Sequence, residues 1–315
     1  MSALVPLIPR LDGNAPIPPE FRGGVVALGN FDGVHAGHQA VISAAVAEAR
    51  QRGVPALVAT FDPHPVRHFQ PDAAPFRLTT LDQRQRYLAE AGADAMIVFS
   101  FGDRLASVTA EEFVTQWLGG HLGVNGVVTG EDFTFGKGRG GNIAVLKALG
   151  AAQGITAQAV GAVSDAGGPI SSSRIREALK AGDCETATRL LTRPFAVAGE
   201  VAHGDKNGRK LGFPTANVDM GTYLRPRYGI YAVRGRLADG RVVDGAANLG
   251  IRPTFDPPKE LLEPHFFDFS GDLYGQMIEV AFISFLRPEQ KFDSLDALMV
   301  QMGQDCDKAR AILAG

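Results

Sequence analysis

Cysteine is scarce: Cys184 and Cys306 are the only two in 315 residues, and neither has a second cysteine near it in sequence. That speaks against a disulfide framework and against a cysteine-based zinc cluster. Long apolar runs are missing too; no window reaches the ~18 consecutive apolar residues of a membrane-spanning helix. The opening MSALVPLIPR lacks a basic stretch followed by a long apolar one, so it does not read as a secretory signal. Charge of one sign is also in short supply. The 31 Lys and Arg against 34 Asp and Glu leave a net charge of −3, so no basic field points to nucleic acid or to an anionic membrane. Repeats and low-complexity tracts are absent. A reducing cytoplasm is the expected home.

What is present is a chain that folds. The hydrophobic fraction is 45 %, enough for a sizeable core, and the length fits two domains at about 100–200 residues each. The first half alternates apolar runs with helical patterns. VVALGNF (25–31), ALVATF (56–61), AMIVFSF (95–101), GVVTG (126–130) and ITAQAV (155–160) read as strands. Helices are expected from about His38 to Arg52 and over 81–92, 109–122 and 142–150, with Thr109 and Glu112 forming a capping box. Strands that are apolar throughout, separated by helices, predict a parallel sheet covered on both faces. In such sheets ligands bind at the carboxyl ends of strands.

From about Arg193 the rhythm changes to short strands with turn signals, including a hairpin at Asp239-Gly240. This predicts an antiparallel barrel closed off by one long C-terminal helix. The fold class is therefore α/β followed by a β-rich part, joined through a helical stretch at 170–191. Pro-rich patches at 15–19 and 253–258 read as loops.

Several clusters could carry chemistry. GNFDGVHAGH (29–38) holds three glycines, an aspartate and His35 and His38 where a strand hands over to a helix. A zinc protease needs histidines four apart with a glutamate between, and both conditions fail. Spacing alone leaves two surface histidines at a helix cap against an anion site, where free backbone N–H groups and the positive helix end attract phosphate. GEDFTFGKGRGG (130–141) matches neither a dinucleotide turn nor a P-loop, and is either a mobile loop or a lid carrying Lys137 and Arg139. TFDPHP (60–65) carries Asp62 and His64 at a strand end. ISSSRIR (170–176) places two arginines near a helix start, against the macrodipole, which makes sense if a polyphosphate offsets them. In the second half, GRKLGFPTAN (208–217) offers Thr and Asn oxygens suited to Mg²⁺. LEPHFFDF (262–269) places Glu263 in an apolar strand, solvent-facing by alternation or a general base if it faces a pocket.

In this order the motifs resemble a known family. GNFDGVHAGH, TFDPHP, GEDFTFG and ISSSRIR are similar to the adenylyltransferase module of bacterial bifunctional riboflavin kinase/FAD synthetases, within the HxGH-bearing nucleotidyltransferases. GRKLGFPTAN, YGIYAV, NLGIRPTF, LEPHFFDF, DLYGQ and LRPEQKFDSLDAL are similar to the riboflavin kinase module. The resemblance covers roughly residues 20–310. It implies a Rossmann-like nucleotidyltransferase domain over 1–188 and a kinase barrel over 189–315.

It also implies roles. Gly29, Asn30, Phe31, Asp32, Gly33, His35, His38, Ser171, Ser172 and Arg176 are to bind the nucleotide of the first site, with the histidines catalytic. Asp62 and Asp132 line nucleotide and flavin sites, and Asp305 lies near the flavin of the kinase. Gly208, Lys210, Thr215 and Asn217 hold the kinase nucleotide, Thr215 and Asn217 with its Mg²⁺, and Glu263 is the base. The implied ligands are riboflavin, FMN, FAD and ATP, with no nucleic acid; self-association is left open. Pro264, next to the base, departs from the family pattern and is expected only at a strand edge or bulge. The rivals are a nucleotidyltransferase with another acceptor and a nucleotide-binding regulator without catalysis.

Overall fold

The computed structural model describes residues 7–203, 212–252 and 259–315. The chain divides into two compact units, Met1–Ala73 with Leu81–Ile170, and Ala74–Thr80 with Ser171–Gly315.

The first unit is built on six parallel strands: β1 (Arg10–Asp12), β2 (Val25–Leu28), β3 (Ala56–Asp62), β4 (Ala95–Ser100), β5 (Gly126–Gly130) and β6 (Thr156–Val160). Their order is β1-β4-β3-β2-β5-β6. Successive side chains of a strand point to opposite faces, and here both faces are apolar. Val26, Leu28, Leu57, Ile97 and Phe99 pack with Trp117 and Leu118 on one side. Val25, Ala27, Val58 and Met96 pack with Ile42 and Ala45 on the other. That is why these strands read as unbroken apolar runs. From β2 the chain winds through β3 to β4 on one side, then crosses to β5 on the other. The topological switch point thus lies between the carboxyl ends of β2 and β5.

Helices cover the sheet: α1 (Ala36–Arg52), α2 (Pro65–Phe69), α3 (Leu81–Glu90), α4 (Asp103–Ala106), α5 (Ala110–Glu112) and α6 (Ile143–Ala151). The capping box at Thr109 is present in full: Thr109 Oγ1 accepts from Glu112 N–H and Glu112 returns a bond to Thr109 N–H. Beyond it the helix widens into a π-helical segment over Phe113–Leu122. Strand β1 escaped the sequence reading; it has three residues and little apolar pattern, and it exists because β4 offers it an edge. A two-residue ribbon, β7 (Ser164–Asp165) with β8 (Gly168–Pro169), ends the unit.

In the second unit the helical stretch breaks into α7 (Ser172–Ala181) and α8 (Cys184–Leu191). Gly182, at φ +82°, caps the first, and the Asp183 carboxylate accepts from Thr186 N–H to start the second. Residues 74–80 group with this unit because Arg77 bonds the backbone at Thr222 and Leu224, and the Phe76 carbonyl accepts from Arg176. Then come β9 (Ala196–Ala202), β10 (Asn217–Asp219), β11 (Gly229–Arg236), β12 (Val242–Arg252), β13 (Lys259–Phe266) and β14 (Met277–Arg287). They close into a barrel in the order β10-β13-β12-β11-β14-β9. The Asp239-Gly240 hairpin joins β11 to β12, with Gly240 at φ +85°. Helix α9 (Leu295–Leu313) lays Ala309 and Leu313 on Ala232, Ala246 and Leu286 of the barrel wall. Closure leaves no open sheet edge.

Candidate active sites

Strand β2 ends at Leu28, and the next seven residues bend sharply before α1 begins. Phe31 has φ +48°, Gly33 +91° and Val34 +42°. A positive φ is natural for glycine but costs a bulky or β-branched residue on the order of 1–3 kcal/mol, so the surroundings must enforce it. They do. Phe31 and Val34 are each 1 % exposed in the core. Val34 N–H donates to the Phe31 carbonyl at 3.2 Å, and Gln39 Nε2 donates to the Val34 carbonyl at 2.9 Å. Thr60 Oγ1 donates to the Asn30 carbonyl at 2.7 Å and accepts from Arg84 Nη1 at 2.8 Å. Arg84 also faces Asp32 at 3.6 Å, and both side chains are 2 % exposed.

His35 is the N-cap of α1: its Nδ1 accepts from His38 N–H at 3.3 Å. A ring that accepts at Nδ1 carries its proton at Nε2, so His35 presents a donor there. The His35 and His38 rings stack with centroids 3.6 Å apart, and Phe31 meets His38 edge-on at 5.3 Å. Gly37 is required for this. A Cβ there would stand 3.2 Å from the His35 ring and 3.3 Å from the Ile170 carbonyl oxygen. The loop therefore sets two imidazoles and a helix N-terminus at the switch point, the arrangement that suits an anion.

Asp62 ends β3 and Asp132 follows β5 by two residues, so both flank this loop on the two strands adjacent to β2. Asp132 is exposed; Asp62 is half-buried. Lys137 and Arg139 lie on an exposed 3₁₀ turn. Ser171, Ser172 and Arg176 belong to the second unit. Ser171 caps α7 through Arg174 N–H, and Arg176 donates to the Phe76 carbonyl at 2.9 Å with its guanidinium over the Phe76 ring.

In the barrel, register brings the second set of motifs together. Val218 pairs with Leu262 and Leu262 with Leu249, and all three are fully buried, so this row fills the interior. One residue along, the same register sets Asn217 across from Glu263, and Glu263 pairs with Asn248. By alternation that polar row faces the other way. Thr215 lines a cleft with Pro214, Pro264, Asp272 and Tyr274. The His265 ring holds the Pro214 carbonyl at 2.9 Å. Gly208 and Lys210 lie outside the described residues.

Pro264 is neither on an edge strand nor at a bulge; it sits in regular register opposite Ala247. Its carbonyl accepts from Ala216 N–H at 2.9 Å. In an antiparallel pair the N and O of one residue point to the same neighbour. The missing N–H therefore faces Ala216, just before β10 begins at Asn217, so no bond within the named ladders is lost.

Charge elsewhere in the second unit is tied down. Glu260, three residues before Glu263, accepts from Arg225 Nε at 2.6 Å and from the Tyr228 hydroxyl. Burial alone would raise its carboxyl, but these two bonds outweigh it and hold Glu260 below the usual range. The Tyr228 phenol is pushed up to about 12, by burial first and then by Glu260. Asp305 is 6 % exposed and gripped by Arg287, with Nη2 at 2.7 Å and Nε at 2.9 Å, and by Gln301. Its carboxylate therefore anchors α9 to β14. Burial pushes Cys184 up to about 12 and Cys306 up to about 11, so neither is a thiolate at neutral pH.

Three residues here had no role in the sequence reading: Arg84, and Thr60 and Asn248, which open the quoted motifs TFDPHP and NLGIRPTF. A signal existed for one. Leu81, Arg84, Gln85 and Leu88 fall at i, i+3, i+4 and i+7, so Arg84 occupies the inward stripe of α3. A charge there needs a partner. Asn248 donates through Nδ2 to Glu289 Oε1 at 3.3 Å, while its Oδ1 is buried without a hydrogen-bond partner among the described residues.

Comparison with known proteins agrees with this layout. The family model for FAD synthetase matches residues 17–174, and the one for riboflavin kinase matches 191–313. The bifunctional riboflavin kinase/FMN adenylyltransferase of Pseudomonas fluorescens is 43 % identical over 297 residues, covering 94 % of this chain and 95 % of that one. The protein of the same name from Escherichia coli K12 is 41 % identical over 284 residues, covering 90 % and 91 %. That from Bacillus subtilis is 38 % identical over 291 residues, again covering 90 % and 91 %. A crystal structure described as a macrolide-efflux protein from Streptococcus pneumoniae superposes with a TM-score of 0.86 at 31 % identity, covering 96 % and 99 %. Among the described residues here, no helix is long and apolar enough to cross a membrane. A histidine loop at the switch point of a parallel sheet, a Glu–Asn row on a closed barrel and relatives matched over nearly their whole length lead to one conclusion: the chain belongs to the bifunctional riboflavin kinase/FMN adenylyltransferase family.

Proposed function

We propose that the chain makes FAD from riboflavin in two ATP-dependent steps, phosphorylation in the barrel and adenylylation at the parallel sheet. The observation that carries this reading is the register that sets Glu263 between Asn217 and Asn248. The functional boundary between residues 188 and 189 is our assignment; the two matched stretches leave 175–190 open to it.

In the kinase step the 5′-hydroxyl of riboflavin is a poor nucleophile, so Glu263 accepts its proton as the oxygen bonds the γ-phosphorus. The β–γ bridging bond breaks and ADP leaves with FMN as product. Thr215 and Asn217 hold the nucleotide. Their neutral oxygens fit Mg²⁺, a hard cation that keeps waters and substrate phosphates as its other ligands. When bound, the ion neutralises phosphate charge. Gly208 and Lys210 are assigned to the same nucleotide by resemblance.

In the adenylyl step the FMN phosphate is already an anion, and no proton has to be removed. One of its oxygens bonds the α-phosphorus of a second ATP, the α–β bond breaks, and pyrophosphate leaves. The site has to bring two anions together and stabilise the charge that builds up. His35 Nε2–H, His38, the N-terminus of α1 and the backbone of Gly29, Asn30, Phe31 and Gly33 suit that task. By resemblance, Ser171, Ser172 and Arg176 are assigned to the nucleotide, and Asp62 and Asp132 to the flavin. Asp305 acts on the kinase flavin through the placement of α9. A cytoplasmic location fits the two activities, both of which draw on ATP.

Incubation with riboflavin, ATP and Mg²⁺, followed by chromatography, should yield FMN and then FAD. Tight flavin binding without either product would replace this reading by a regulator. FMN without FAD would leave the sheet to another acceptor.

A further inference from the structure

We infer that Arg84 and Thr60 form a buried strut that positions the GNFDGVHAGH loop for adenylyl transfer. Arg84 lies on α3, outside every motif, and Thr60 lies on β3, where it opens TFDPHP without a role of its own in the nucleotide site. Arg84 Nη1 donates to Thr60 Oγ1 at 2.8 Å, and that hydroxyl passes its own proton to the Asn30 carbonyl at 2.7 Å. One hydroxyl thus accepts from the helix and donates to the loop. A second contact reaches the loop at Asp32, 3.6 Å from Arg84 Nη2. Thr60 is 0 % exposed, Asp32 1 % and Arg84 2 %.

A guanidinium is expensive to bury, so its place needs a reason. Core stability alone does not supply one, because an apolar side chain of similar length on the inward stripe of α3 would pack as well. The loop above does supply one. It carries two non-glycine residues, Phe31 and Val34, at positive φ, and such backbone persists only where its surroundings over-determine it. The strut grips the loop at Asn30 and Asp32, on both sides of Phe31. Released, the turn relaxes and the histidines three and six residues past Asp32 lose their aim. Asp32 then serves the nucleotide site from inside the protein: its carboxylate faces the buried cation.

Arg84 and Thr60 are thus positioning residues. They touch no substrate, and their effect passes through the backbone of the loop. A misplacement of about 1 Å costs on the order of a hundredfold in rate where reacting groups must align. The inference rests on the proposed placement of adenylyl transfer at this loop, which His38→Ala tests separately.

The experiment uses the full chain and both of its reactions. Thr60→Val removes the relaying hydroxyl at nearly constant shape, and Thr60→Ser keeps it. Thr60→Val should lower kcat for FMN adenylylation by about tenfold or more with a smaller change in KM for ATP, a loss of transition-state alignment rather than of uniform binding. Thr60→Ser should stay within about twofold of wild type, and riboflavin phosphorylation should be unchanged in both variants. Arg84→Met should exceed the Thr60→Val loss, with Arg84→Lys between them. If Arg84→Met fails to fold, the Thr60 pair decides alone. Normal adenylylation by Thr60→Val overturns the strut, and so does an equal loss in Thr60→Ser. A parallel fall of both reactions with a lowered Tm makes the network structural only and also overturns it.

Discussion

The two units handle phosphate by opposite means. In the sheet, the residues proposed for the work sit on a loop with φ +48°, +91° and +42° in four residues, and a buried arginine and threonine bond to it. In the barrel they sit on regular strands, and register alone sets Asn217, Glu263 and Asn248 side by side. The difference follows from the two acceptors. A sugar hydroxyl has to lose a proton, so the barrel needs one carboxylate at one place, and a strand can supply that. A phosphate has no proton to lose, so the sheet needs many donors converging on charge, and converging N–H groups come from a turn and a helix end. Chemistry that needs a base is served by side-chain alternation; chemistry that needs a cradle is served by unusual backbone.

The strongest test of that contrast removes one centre at a time. His38→Ala should abolish FAD formation, by about 10²–10³-fold or more, and leave FMN formation intact. Glu263→Gln should cut FMN formation by about 10²–10⁴-fold and leave adenylylation of supplied FMN intact. Rates of both steps on the same preparation read this directly. Loss of both activities in either folded variant would break the comparison at its root.

A smaller effect separates carboxylate chemistry from donor chemistry. Asn248→Asp puts a second carboxylate directly across from Glu263 and beside Glu289. Like charges at this spacing disfavour ionisation. The acid limb of the kinase pH–rate profile should therefore move to higher pH by about one unit. The adenylylation profile should not move. An unmoved kinase profile would count against Glu263 as the base.

Much of the fold is legible in the sequence, and the reason is patterning. Val25–Leu28, Ala56–Phe61 and Gly126–Gly130 are apolar on both faces and so announce a covered parallel sheet. Asp239-Gly240 announces its hairpin. The break at Gly182 is written in the sequence as well, as a glycine followed by a capping aspartate, but periodicity alone runs across it. The candidate sites can be proposed from the sequence as residues but not as arrangements. Nothing local says that Asn217 stands opposite Glu263, because register between distant strands is decided by which side chains fill the barrel. Nothing local says that Thr60 reaches Asn30, because that contact crosses between neighbouring strands. Arg84 is the intermediate case: its place on an inward stripe is visible, its partners are not.

The contrast extends, at smaller scale, to how each unit meets acid. In the sheet unit Asp94 accepts from Arg50 at 2.6 and 2.9 Å and from Ala56 N–H at 2.8 Å, tying α1 to the starts of β3 and β4. Burial alone would raise its carboxyl, but those bonds and the Arg50 charge hold it below the usual value. In the barrel Glu260 is depressed in the same way by Tyr228 and Arg225. A carboxyl whose folded pKa is depressed contributes stability above its unfolded value, about 3.9 for Asp and about 4.3 for Glu. That contribution is lost as pH falls through the folded value. Both units should therefore weaken below about pH 4. Asp94 is about one third exposed, so solvent screens its share, and the change should be a fraction of the whole. Thermal melts from pH 7 to 3 should show Asp94→Asn with a flatter acid slope in the sheet unit, followed through loss of adenylylation. Glu260→Gln should flatten the slope in the barrel, followed through loss of phosphorylation. If Asp94→Asn changed the barrel's slope instead, the two units would not answer to acid independently, and the comparison would have to be drawn for the chain as a whole.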